Sequence, residues 1–170
     1  MAKTSLNEYY ASILPINTID IPDNVLQVIE ELGLKLKDEF HVTLIGFGIW
    51  KVIKEQEESA IGQIESFIAS QDFNITLKPK YSLLQEHCDE KLNDGAIIPQ
   101  HIRKTIIQDV EIPELPNLYI HLNQLLNSRF ETPYLHITLA SRSDYRPYMQ
   151  RGIGLYSKQD YDTYLVKVII

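Results

Sequence analysis

The chain is expected to fold as a single α+β domain over residues 1–170, built from two similar lobes. Three observations carry that expectation. Apolar residues alternate with period two in some stretches and recur at i, i+3, i+4 and i+7 in others, which gives the coarse order β-α-β-α-β-β-β-α-β-β-β. An amphipathic helix followed by His, a β-branched apolar residue, Thr and Leu occurs twice, ending in His41-Val42-Thr43-Leu44 and in His136-Ile137-Thr138-Leu139. Finally, 170 residues that are 44% hydrophobic and 23% charged can bury a core without staples.

The elements follow in order. Residues 8–14 are aromatic and β-branched, stop at Pro15 and read as a first strand. Asp23 is placed to cap a helix over 23–36, with Val25, Val28, Ile29 and Leu32 on one face. The first His-x-Thr strand spans 39–47, loosened at its end by Gly46 and Gly48. Residues 54–70 make the clearest amphipathic helix, with Ile61, Ile64, Phe67 and Ile68 on its stripe. Glu55, Glu57, Glu58 and Glu65 lie largely off that stripe and read as a solvated face. Alternation over 72–84 predicts a strand, and Pro79 within it marks an edge or a bulge. Asn93-Asp94-Gly95 signals a hairpin turn, and 103–112 is a further strand closed by Pro113. Pro116 opens a helix over 116–128 that buries Leu118, Leu122, Leu125 and Leu126, with His121 at its boundary. The second His-x-Thr strand occupies 134–141, and 152–156 and 161–169 close the chain as two strands.

Strand side chains alternate between faces, so in each motif His and Thr share one surface while the apolar residue and Leu share the other. The remaining histidines, His87, His101 and His121, have no Thr two residues on. Two imidazoles and two hydroxyls meeting in a cleft suit in-line cleavage of a phosphodiester. One neutral imidazole takes a proton from the attacking oxygen, and a protonated one gives a proton to the departing oxygen. Thr43 and Thr138 would donate hydrogen bonds to the non-bridging oxygens, where charge accumulates. The second histidine takes the place of a metal at the leaving group, so no cofactor is expected. By strand parity Tyr134, Ala140 and Arg142 share the histidine face. Tyr134 is a candidate base platform and Arg142 a candidate phosphate clamp. Tyr10 and Trp50 are weaker aromatic candidates.

A net charge of −7 weighs against a broad nucleic-acid surface, which needs clustered Lys and Arg, but leaves room for a small phosphorylated substrate. The single cysteine, Cys88, fits a reducing compartment. With no long apolar run, the chain is expected in the cytoplasm, of its own cell or of a host, as a monomer away from the membrane. His87-Cys88-Asp89 lacks a second Cys or His at a zinc-like spacing, so no metal site is expected there.

The paired His-apolar-Thr-Leu motif resembles the two-histidine (2H) phosphoesterase superfamily. That group includes RNA 2′,3′-cyclic phosphodiesterases (also called 2′-5′ RNA ligases), plant cyclic phosphodiesterases and viral 2′-5′ oligoadenylate phosphodiesterases. The likeness extends to the strand ending near Leu14-Pro15, the helix after it, His41 through Phe47, and Ile153-Gly154-Leu155-Tyr156-Ser157. It implies a bilobal fold of two antiparallel-rich sheets around a central groove with helices outside. It further implies metal-independent cleavage, with His41, Thr43, His136 and Thr138 as the catalytic set. The substrate would be a 2′,3′-cyclic phosphate, a short 2′-5′ or 3′-5′ oligonucleotide, or a cyclic oligonucleotide. Some phage and viral members degrade nucleotide messengers of host defence, so an immune-evasion enzyme is one alternative. A non-catalytic nucleotide-binding protein is another; it has no evident need for both histidines and both threonines. A metal phosphoesterase using His41, His136 and Asp144 would need an adjacent ligand pair that neither motif carries.

Overall fold

Strands at Ser12–Ile16 (β1), Lys35–Leu36 (β2), Phe40–Ile45 (β3), Thr76–Lys91 (β4), Ile97–Glu111 (β5), His136–Ser143 (β6) and Leu165–Val168 (β7) join in one antiparallel sheet. Its order is β1-β3-β6-β5-β4-β7, with β2 also paired to β6. The computed structural model describes residues 12–56, 58–91, 97–143 and 152–170. The helices are Asp23–Glu31 (α1), Phe47–Lys54 (α2), Glu58–Ser70 (α3), Leu115–Leu126 (α4) and Lys158–Tyr164 (α5), so the chain is α+β. The described strands form one sheet where two were expected, because β6 is bonded along both edges. β5 runs along one edge, and β3 followed by β2 along the other.

The two faces of that sheet differ. Val42, Leu44, Leu83, Ile106, Ile137 and Leu139 point to one side and pack with Val25 and Ile29 of α1, Trp50 and Ile53 of α2, Ile64 and Ile68 of α3, and Leu118 and Leu122 of α4. The opposite face carries Ile107 and Leu84. There they pack with Ile153, Leu155 and Tyr161 of the tail segment, and Tyr134 lies against the same cluster. Tyr119 of α4 ties the helical layer to the sheet by donating to the Leu44 carbonyl at 3.0 Å.

Local chemistry explains where the elements start and stop. α1 ends well short of residue 36, because Gly33 takes a left-handed φ of +59° and releases the chain into β2. β1 runs on through Pro15 to Ile16; at the sheet edge a proline's missing N–H costs no ladder bond. The expected loose strand end after Ile45 is instead α2, with Gly46 as its N-cap. β4 pairs out of register between Leu77 and Tyr81, at Pro79, as the proline forecast. It continues to Lys91 and pairs with β5; the Asn93-Asp94-Gly95 turn lies outside the described residues.

At the C-terminal end, 152–156 is irregular rather than a strand, and a helix replaces the first part of the second expected strand. Ser157 and Asp160 together fix the start of this helix. The Ser157 hydroxyl accepts from the Asp160 amide at 3.2 Å, and the Asp160 carboxylate accepts from the Tyr156 amide at 2.8 Å. Among the described residues no helix is long and apolar enough to cross a membrane.

Candidate functional site

In the antiparallel pair of β3 and β6, Val42 lies opposite Ile137. One step forward on one strand is one step back on the other, so His41 stands across from Thr138 and Thr43 across from His136. Val42, Leu44, Ile137 and Leu139 are fully buried beneath them, and the four polar residues are half-buried on the opposite face. They form the corners of a small quadrilateral. The histidines occupy one diagonal, on the order of 7–8 Å between backbone positions, and the threonines the other.

His136 is fixed by its own strand. Its Nδ1 lies 2.8 Å from the Tyr134 carbonyl oxygen, and since a carbonyl can only accept, Nδ1 carries the proton and Nε2 is the acceptor nitrogen of the neutral ring. Burial pushes the His136 imidazole below its ordinary value, opposed by the Tyr134 carbonyl and the charge of Asp109. His41 is also pushed down, first by burial, then by the cations of Lys37 and His136, with Glu39 opposing. Lys37 belongs to a three-residue slip in register between β2, where Leu36 faces Ala140, and β3. Burial lowers its own ammonium against the pull of Asp38.

Beyond His136 the row continues across the sheet. Asp109 of β5 lies directly opposite His136. Its Oδ2 accepts from the Tyr134 hydroxyl at 2.5 Å and from Lys80 Nζ of β4 at 2.7 Å, and Lys80 also donates to the Tyr134 oxygen at 3.0 Å. Burial and the bond to Asp109 push the Tyr134 phenol up, which keeps it a donor. The Tyr134 ring stacks on Tyr161 of α5, with centroids 4.2 Å apart. Lys80 and Lys158 lie 4.5 and 4.6 Å from the Tyr161 ring centre. A cavity of about 490 Å³ opens beside Asp109 and Tyr134, and neither histidine lines it.

The tail lies close over the other threonine. A Cβ built on Gly152 would stand 2.7 Å from the Thr138 hydroxyl, so only glycine lets the chain pass there without moving Thr138. No family model, curated protein or solved structure matches the chain. Its site therefore stands on its own geometry.

The quadrilateral is what the paired motifs anticipated; the substrate-binding candidates fall differently. Tyr134 is on the histidine face, but one side of its ring is occupied by Tyr161 and its hydroxyl is committed to Asp109 and Lys80. Arg142 is on the other side. A bulge in β6, where Ile106 pairs with Ala140 but Ile107 with Thr138, breaks the alternation. Ala140 is consequently buried with the helical layer, and Arg142 Nη1 reaches the Leu32 carbonyl at the end of α1 at 3.4 Å. Trp50 is a core residue of α2, 6% exposed, away from the histidines. Tyr10 and Asp144 lie outside the described residues.

Among the described residues no group of three or more His, Cys, Asp or Glu is placed to hold a metal ion. His87 and Asp89 are exposed along β4, while His121 stacks on Phe67 at 4.1 Å between α3 and α4. Asp109, Lys80, Lys37 and Gly152 were not singled out in the sequence. The signal for Asp109 is a carboxylate inside the β-branched run from Thr105 to Val110. Its partner is found only through the β5–β6 register.

Proposed function

We propose that the chain is a phosphodiesterase acting on a small nucleotide by paired-histidine acid–base catalysis. The observation that carries this reading is the β3–β6 register, which sets His41 against Thr138 and Thr43 against His136 on one half-exposed face. A phosphate centred over the quadrilateral meets an imidazole at each end of one diagonal and a hydroxyl at each end of the other. The lysine beside His41 favours its neutral form and makes it the base. The carboxylate opposite His136 favours its charged form against the larger, opposite push of burial, and this difference in neighbours assigns His136 as the acid.

In the step itself, His41 takes the proton of the attacking oxygen as that oxygen bonds to phosphorus. The bond from phosphorus to the leaving oxygen breaks, and that oxygen takes the proton of His136 Nε2. Thr43 and Thr138 hold the non-bridging oxygens. The product of a 2′,3′-cyclic phosphate and water is a ribose phosphomonoester. In this reading the strands on either side of the β3–β6 seam are the two lobes of the two-histidine fold. The net charge of −7 keeps the substrate small.

The test is a panel of 2′,3′-cyclic nucleotides, 2′-5′ oligoadenylates and cyclic dinucleotides, run in EDTA with wild type, His41→Ala and His136→Ala and read by product chromatography. Turnover of one class that persists in EDTA and is lost in both variants is the expected result. Loss of activity on chelation, or a His136→Ala protein that keeps most of it, overturns the reading.

A further inference from the structure

Asp109 sits where a purely structural carboxylate would be an expensive choice. Its side chain is 13% exposed, on a central strand, directly opposite His136. One oxygen, Oδ2, is doubly engaged, by the Tyr134 hydroxyl and by the Lys80 ammonium. The other, Oδ1, is buried and has no hydrogen-bond partner among the described residues. Buried polar atoms are nearly always paired, so an unpaired carboxylate oxygen asks for a reason. The reason offered by the geometry is its neighbour across the strands.

Tyr134 links the two groups in an unusual way. Its carbonyl fixes the imidazole of His136, and its hydroxyl fixes the carboxylate of Asp109. One residue thus sets the orientation of both, with the stack on Tyr161 holding the Tyr134 ring. We propose that Asp109, clamped by Tyr134 and partly neutralised by Lys80, is a positioning residue that strengthens the hold of His136 on its proton. This rests on the phosphodiesterase reading for its purpose, but not for its measurement. Asp109 touches neither substrate nor reacting atoms. It acts through the field it lays across the strand gap, and Lys80 is the counterweight that sets how strong that field is.

The groups around His136 are Asp109 from β5 and, behind it, Lys80 from β4; His41 from the β3 side, with Lys37 acting on His41; and Lys158 and Tyr161 from α5, over the ring of Tyr134. Of these, Asp109 and Lys80 are directly paired, carry opposite charges, and can each be changed without touching the quadrilateral. Removing the carboxylate should make the His136 proton easier to lose, whereas removing the counterweight should make it harder. A merely structural role would move both variants the same way, since either loosens the same cluster.

The experiment is an NMR pH titration of the His136 ring in the full chain, comparing wild type with Asp109→Asn and Lys80→Met, and using Asp23→Asn, exposed at the start of α1, as a control outside the cluster. The expected result is a midpoint lower by about one pH unit in Asp109→Asn and higher by a comparable amount in Lys80→Met, with the control unmoved. Where a substrate is in hand, the alkaline limb of kcat/KM should follow the same two directions. Midpoints that do not move, or that move together, overturn the proposal. Should Asp109→Asn fail to fold, Lys80→Met alone decides it by the direction of its shift. The titration needs no turnover. A protein inactive on every substrate with the opposed shifts intact would refute the phosphodiesterase reading and leave Asp109 as the residue that sets the charge of His136.

Discussion

The strand bearing His41 and the strand bearing His136 carry nearly the same four residues and live in different surroundings. β6 is central, bonded on both edges, and its histidine is held by a carbonyl and faced by a carboxylate. β3 lies next to the edge strand β1, and its histidine shares its neighbourhood with Lys37. Where the motif repeats, the flanking charge does not. In the proposed mechanism identical side chains take opposite tasks according to what stands beside them, the general way in which one residue type serves as acid and as base in a single site.

The largest effect that could break this comparison comes from the histidines themselves. Either alanine variant should lose about 10²- to 10⁴-fold in kcat/KM on a natural nucleotide. A nitrophenyl phosphodiester, whose leaving group needs no proton, should separate them. His136→Ala should recover most of its activity on that substrate and His41→Ala should not, and recovery by the latter would reverse the assigned roles. The threonines come next. Thr43→Val and Thr138→Val should each cost about 10²-fold in kcat with little change in KM, measured on the same substrate.

A smaller effect tests one strand and spares the other. Gly152→Ala forces Thr138 aside but leaves Thr43 untouched, and should cost on the order of tenfold in kcat. A Gly152→Ala protein with wild-type kcat would show that Thr138 does not depend on the tail. The smallest effect is on stability. Burial holds both imidazoles below their ordinary value, so the unfolded chain binds protons that the folded chain does not. The stability due to the neutral rings is present above about pH 6.5 and is lost as pH falls through the folded values. Urea midpoints should therefore drop between about pH 7 and pH 5, and His136→Gln should flatten that drop more than His41→Gln, because His136 is the more densely enclosed.

Much of this was legible in the chain because local rules govern it. The apolar stripes of α1, α3 and α4, the proline irregularity in β4 and the paired motifs all follow from spacing within a few residues. α2 was hidden because Gly46 and Gly48 read as breakers, although the residues between and beyond them bury Trp50 and Ile53. α5 was hidden because Tyr161 and its neighbours are strand formers, overruled by the cap at Ser157. Arg142 was misplaced because parity assumes no bulge, and nothing in Leu139-Ala140 announces one. Asp109 was missed because its meaning depends on which residue lies across from it on another strand.

The join between β3 and β6 has one more consequence. Val42 against Ile137 marks a short contact, whereas β5 follows β6 from Arg103 to Asp109. The two histidines thus sit on opposite banks of the thinnest part of the sheet, brought together by a pairing between distant parts of the chain. A partial opening there would separate the two histidines while each strand kept its other neighbour. Such openings cost less than global unfolding. Amide protons at Val42 and Ile137 should exchange sooner than those of β5, and mild urea should abolish the proposed turnover well before the circular dichroism of the chain changes.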